Sequence, residues 1–173
     1  MPDPQSIALV GLSGVGKSSA GHLLAARLGW PLLDTDALIA EAAGRTVAQI
    51  FADSGEPRFR DLESAALQRA FSVIPCVVST GGGIVLRPAN RALLRSRAFV
   101  VWLDAPTETL VARLLAHHEA RPLIGGVDPA ARLEALRAAR AGLYAEVAHA
   151  RVDAADRELG QICAQILQLF AIC

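Results

Sequence analysis

Eight residues, Gly11-Leu12-Ser13-Gly14-Val15-Gly16-Lys17-Ser18, leave this chain few folds to choose from. They follow the pattern G-x-x-x-x-G-K-[ST], in which glycines let the backbone turn tightly and bring N–H groups up to phosphate oxygens. Ile7-Ala8-Leu9-Val10 precedes the pattern and is short, apolar and partly β-branched, as a buried strand is. Ala20, Leu23, Leu24, Ala25 and Leu28 follow at helical spacing, and Gly29 stops them. A strand, a glycine turn and a helix place unpaired amides and a positive dipole end at one point, ready for an anion. The residues Gly14, Val15, Gly16, Lys17, Ser18 and Ser19 are therefore expected to bind the phosphates of ATP. Lys17 is expected to reach the β/γ-phosphates, and the Ser18 hydroxyl to bind Mg²⁺. Lys17 is also the only lysine, all other basic side chains being arginines. A compact ammonium is retained where a flat guanidinium does not substitute for it.

The rest of the chain alternates strand and helix signals. Leu32-Leu33 leads to Asp34-Thr35-Asp36, and a short helix over 37–43 is closed by Gly44. Thr46 has the chemistry of an N-cap, Ser54-Gly55 breaks the segment it opens, and Pro57 starts a longer helix to about Phe71. Cys76 to Ser79 and Ala98 to Leu103 read as buried strands, with a helix from Pro88 between them. Helices follow to Ala116, from Pro129 to about Ala148 and from Glu158 to about Phe170, with a short strand at Arg151-Val152-Asp153. The expectation is one α/β domain over 1–173, a three-layer α/β/α sandwich around a mainly parallel five-stranded sheet. Ligands of such sheets bind beyond the carboxyl ends of the strands, which gathers the phosphate loop, the two aspartates and Gly81-Gly82-Gly83 around one cleft.

Hydrophobic residues make up 53% of the 173, enough for one core without a disulfide or metal staple. Zero net charge gives no support for general nucleic-acid or anionic-membrane binding. Cys76, Cys163 and Cys173 are an odd number without metal-ligand spacing and read as free thiols. No signal peptide or membrane-length apolar run is visible, so a cytoplasmic enzyme is expected.

Chemistry beyond the loop centres on carboxylates and arginines. On a strand that continued through Asp36, Asp34 and Asp36 would point the same way. One could then help hold hydrated Mg²⁺ and the other accept a bond from an acceptor hydroxyl. The competing reading is an N-cap and a solvated charge. Arg58 and Arg60 flank Phe59, and an arginine facing a carboxylate would act as a two-pronged donor; a solvated face is the rival for Arg58. Arg121 lies in a glycine-containing segment, about 117–128, that reads as a lid able to bring charge to a transferring phosphoryl group.

The ordered set GLSGVGKSS, LLDTD, FRDLE, STGGG, RPL and Arg140 in RAGLY resembles the shikimate kinases over nearly the whole chain. The resemblance implies a P-loop NTPase fold and ATP-dependent phosphorylation of the 3-hydroxyl of shikimate, giving shikimate 3-phosphate and ADP on the route to chorismate and aromatic amino acids. It implies that Asp36 meets the attacking hydroxyl and that Arg60 and Arg140 clamp the carboxylate. Gly81, Gly82 and Gly83 would contact the ring substituents, and Phe51 and Phe59 would line the pocket of a substrate-binding region at about 34–62. Asp34 would support Mg²⁺ through water, and Arg121 would bridge the phosphates. Arg113 and Arg157 would lie near the nucleotide, with Arg157 close to adenine. Family members are usually monomers. Two other readings remain open at this stage: a different small-molecule kinase of the same fold, such as one for gluconate or nucleoside monophosphates, and a nucleotide-binding regulatory domain without turnover.

Overall fold

The computed structural model describes residues 5–116 and 128–172. Five strands, β1 (Ile7–Val10), β2 (Leu32–Asp34), β3 (Val77–Ser79), β4 (Phe99–Asp104) and β5 (Ala150–Asp153), form one sheet in the order β2-β3-β1-β4-β5. Every pairing is parallel. Parallel neighbours need crossovers, and the helices α1 (Lys17–Leu28), α2 (Thr35–Ala43), α3 (Val47–Ala70), α4 (Pro88–Arg97), α5 (Thr107–Ala116) and α6 (Pro129–Val147) supply them, while α7 (Leu159–Ala171) follows the last strand and packs back on the layer. Both faces of the central strands are thereby covered, which is why every residue of β1 and β4 is buried and both read as apolar runs, β4 up to its final Asp104. The edge strand β5 is only partly buried and alternates apolar Val152 with exposed Arg151 and Asp153.

Local chemistry sets the ends of the elements. Gly16 caps α1 at φ 99°, in the left-handed region that a side chain disfavours, so the loop enters its helix only with glycine there. Thr46 and Gln49 form a reciprocal capping box at the start of α3. Gly55, at φ 74° and ψ 175°, breaks α3, and Pro57 begins its second half, as the sequence pattern anticipates. Pro88 and Pro129 open α4 and α6 at positions where a missing N–H costs nothing.

One expectation about this region is corrected. The strand does not run on through Asp36. It stops at Asp34, whose side chain accepts from the backbone N–H of Asp36 and Ala37 and so caps α2. Asp36 therefore sits in the first turn of a helix. The cap satisfies two of the helix's orphan donors, a gain that an extended backbone would forgo.

Two hydrophobic cores result. The large one packs α1, α4, α6 and α7 against the sheet. A smaller one, built on Ile39, Ile50, Phe59 and Ala66, joins α2 to α3 and holds them as a shelf beside the carboxyl ends of β2 and β3. Cys76 and Cys163 are buried free thiols. Among the described residues no helix is long and apolar enough to cross a membrane.

Candidate active site

The carboxyl ends of β1, β2 and β3 open on one cleft of about 990 Å³. Its floor is the glycine loop. Lys17 is 7% exposed and donates through Nζ to the carbonyls of Gly11 and Leu12, 2.8 Å each, which hold its charge inside the loop. The Ser18 hydroxyl donates to Asp34 Oδ2 at 3.1 Å and lies 3.3 Å from Ser79 Oγ. Asp34 thus divides its oxygens: Oδ1 caps α2, and Oδ2 faces the loop serine.

The opposite wall is organised on Gly81-Gly82-Gly83. None of the three has a positive φ, and at Gly81 and Gly83 the reason for glycine is space. A Cβ on Gly81 would stand 2.9 Å from Asp36 Oδ1 and 3.0 Å from Glu63 Oε1. On Gly83 it would collide with Arg60 Nη1 at 2.2 Å, and on Gly82 it would lie 3.6 Å from Arg140 Nη1. The two arginines thus flank consecutive residues, and both are 6% exposed. Asp36 and the two guanidinium groups share this wall of the cleft with Lys17 on its floor. Phe51 and Phe59 close the end, their ring centroids 4.5 Å apart, and the Arg60 guanidinium lies 5.2 Å from the Phe59 ring centre.

Arg60 is held from two sides. Glu56 Oε1 accepts from its Nε and Nη2 at 3.2 and 2.8 Å, and Glu63 Oε2 accepts from Nη1 at 2.9 Å. Glu63 is fully buried, and its second oxygen has no hydrogen-bond partner. Burial pushes its carboxyl up from 4.5 to about 7, against the pull of Arg60. Desolvation, with the Asp36 carboxylate adding to it, outweighs the pull of Arg60 and the smaller one of Arg140.

Where α5 meets the glycine loop, Arg113 lines the cleft and donates to the carbonyls of Val15, Ala154 and Ala155, tying α5 to that loop and to the turn after β5. Arg157 is exposed on the cleft edge and donates to Gln165. Arg58 is exposed and stands outside the cleft, as its solvated-face reading anticipates. Arg121 and the segment expected to form the lid, up to residue 127, lie outside the described residues, and Asp128 at its end caps α6 by accepting from the Ala131 N–H.

Glu56 and Glu63 are site residues that the sequence reading left without a role. Their signal was present, since they stand four before and three after Arg60 on one helix, the spacing at which side chains meet. Asp104 was also passed over. It is 8% exposed, accepts from Arg137 at 2.8 Å and Arg151 at 2.6 Å, and so fastens α6, which carries Arg140, to the end of β4.

Against known proteins, residues 13–171 match the family model described as shikimate kinase. A shikimate kinase of Symbiobacterium thermophilum is 49% identical over 164 residues, covering 94% of each chain. The solved shikimate kinase of Acinetobacter baumannii, in complex with shikimate, superposes with a TM-score of 0.93 at 35% identity, over 97% of this chain and 93% of that one. A gluconokinase of Sinorhizobium meliloti, at TM-score 0.63 and 24% identity over 99% of this chain and 94% of its own, shares the fold alone. A single cleft with a phosphate loop on one side and paired arginines on the other, together with these matches over nearly the full length, leads to one assignment: the chain belongs to the shikimate kinase family.

Proposed function

We propose that this chain transfers the γ-phosphoryl group of ATP to the 3-hydroxyl of shikimate, giving shikimate 3-phosphate and ADP in the biosynthesis of chorismate and aromatic amino acids. The observation that carries the reading is the opposition, across one cleft, of the Lys17 loop and the Asp36, Arg60 and Arg140 group. The loop amides and Lys17 bind the triphosphate and neutralise its charge. Arg60 and Arg140 hold the acid's carboxylate, each as a planar donor. That fixes the ring so that its 3-hydroxyl lies between Asp36 and the γ-phosphate. Phosphoryl transfer rests mainly on such positioning and on electrostatic stabilisation. Asp36 accepts the hydroxyl's hydrogen bond and orients its lone pair, and it receives the proton as the new P–O bond forms and the bond to ADP breaks. Phe51 and Phe59 cover the apolar ring edge, and Gly81, Gly82 and Gly83 let the acid approach the backbone.

The residues present suit a magnesium ion. Ser18 Oγ and Asp34 Oδ2, 3.1 Å apart at the foot of α1, are hard oxygen donors of the kind Mg²⁺ prefers, the hydroxyl as direct ligand and the carboxylate through water. When bound, the ion supplies charge neutralisation on the phosphate oxygens. Arg121, on sequence resemblance, reaches the phosphates from the lid, and Arg113 and Arg157 border the adenosine. Each of these groups comes from one chain, which fits a monomer, and ATP as co-substrate fits the cytoplasm.

A coupled ADP-release assay with shikimate, gluconate and nucleoside monophosphates as acceptors tests the reading. Turnover of shikimate should exceed the others by orders of magnitude. Preference for gluconate or a nucleotide would replace the substrate, and ATP binding without transfer to any acceptor would favour a regulatory domain.

A further inference from the structure

We propose that Tyr144 is a positioning residue of the acid pocket, fixing in one stroke the Arg140 guanidinium and the Gly82–Gly83 peptide. The proposal deepens the shikimate reading and rests on it. Tyr144 stands one helical turn after Arg140 on α6, so both side chains leave the same face. Its ring is 1% exposed and lies against Trp102 of β4, with centroids 5.8 Å apart, which seats it on the sheet. The Arg140 guanidinium is near enough for its charge to act on the Tyr144 hydroxyl, and that hydroxyl donates to the carbonyl of Gly82.

The direction of the Tyr144 bond is not free. A carbonyl only accepts and a neighbouring guanidinium has no acceptor to offer, so the phenol proton goes to Gly82 and the oxygen's lone pairs are left for Arg140. Burial pushes the phenol up to about 12, so that proton stays in place across the working pH range. The consequence falls on the glycine wall. The Gly82–Gly83 peptide is the middle one of a turn closed by the Ile84 N–H on the Gly81 carbonyl, and with glycine on both sides of it that turn alone does not decide which way the peptide faces. In a planar trans peptide the carbonyl and the following N–H point opposite ways. Holding the Gly82 carbonyl toward α6 therefore turns the Gly83 N–H away from α6, at a residue that lines the cleft. One hydroxyl thus sets an amide and a guanidinium for the same ligand.

Tyr144→Phe keeps the ring and removes only the hydroxyl. Wild-type turnover of shikimate is the control: its failure would undo the function itself, separately from Tyr144. Given that turnover, the variant should raise KM for shikimate by roughly tenfold, the equivalent of one hydrogen bond, with KM for ATP changed less than about twofold. An unchanged KM for shikimate, or equal rises for both substrates, would overturn the proposal. Should the variant fail to fold, the wild type still decides. Tyr144 is the only tyrosine, so a protein labelled at tyrosine Cζ gives a single resonance. A slowly exchanging hydroxyl proton coupled to that carbon is expected, and a freely exchanging one would refute the arrangement.

Discussion

Glu63 is the group through which the acid pocket should impose a pH signature on the whole fold. Its carboxyl is fully buried, shares one oxygen with Arg60 and leaves the other unpartnered, and it titrates near 7 in the folded chain against 4.5 when unfolded. Between those two values the folded state holds a proton that the unfolded state has already released. Stability attributable to this group is thus complete below about pH 4.5 and is lost as pH rises through 7. At 1.36 kcal/mol per unit the whole effect is about 3 kcal/mol, most of it falling between pH 5 and 8. Glu63→Gln retains an acceptor for Arg60 and cannot ionise. Urea titrations of both proteins at a series of pH values let all other groups cancel in the difference. The wild type should lose roughly 2.5 kcal/mol relative to the variant between pH 5 and 8, equivalent to a relative fall of roughly 5–10 °C in Tm for a chain of this size. Curves that stay parallel across that range would show that Arg60 keeps Glu63 ionised throughout, and the desolvation argument would be wrong.

Other expected outcomes concern the reaction. Asp36→Asn should lower kcat by on the order of 10²-fold or more while the circular dichroism and Tm persist, if the carboxylate meets the attacking hydroxyl as proposed; near-normal turnover would remove Asp36 from the mechanism. Arg140→Ala should raise KM for shikimate by about 10²-fold and far more than KM for ATP, as loss of a charge-assisted contact does; equal effects in steady-state kinetics would give Arg140 to the nucleotide or the fold. Chelation with EDTA should abolish turnover and added Mg²⁺ restore it, and Ser18→Ala should shift the Mg²⁺ requirement upward by roughly tenfold in a metal titration.

The sequence made the frame of this site legible because its signals are local. The glycine pattern sits between an apolar strand and a periodic helix, and Thr46, Gly55, Pro57 and Pro129 each act within a residue or two of where they stand. The Asp34–Asp36 pair was harder. An Asp-x-Asp spacing fits both a continuing strand and a capped helix start, and the choice depends on where extended backbone ends. Here capping of α2 by Asp34 decides it, and the pair reaches the cleft by a different route from the one strand alternation describes. The triple glycine was read as room for a ligand; it is also room for Asp36, Glu63 and Arg60 themselves. Contacts such as Arg137 and Arg151 on Asp104 cross 33 and 47 residues, and no local pattern encodes them. Helical spacing could place Glu63 beside Arg60, but only packing reveals that it is buried with an oxygen unpaired.

The central claim is that Arg60 and Arg140 receive the acid's carboxylate opposite the Lys17 loop, and a crystal structure with ADP and shikimate bound tests it most directly. The carboxylate should lie within hydrogen-bonding distance of both guanidinium groups, and the 3-hydroxyl between Asp36 and the open end of the diphosphate. A carboxylate bound away from either arginine, or a ring whose 3-hydroxyl faces away from the nucleotide, would contradict it.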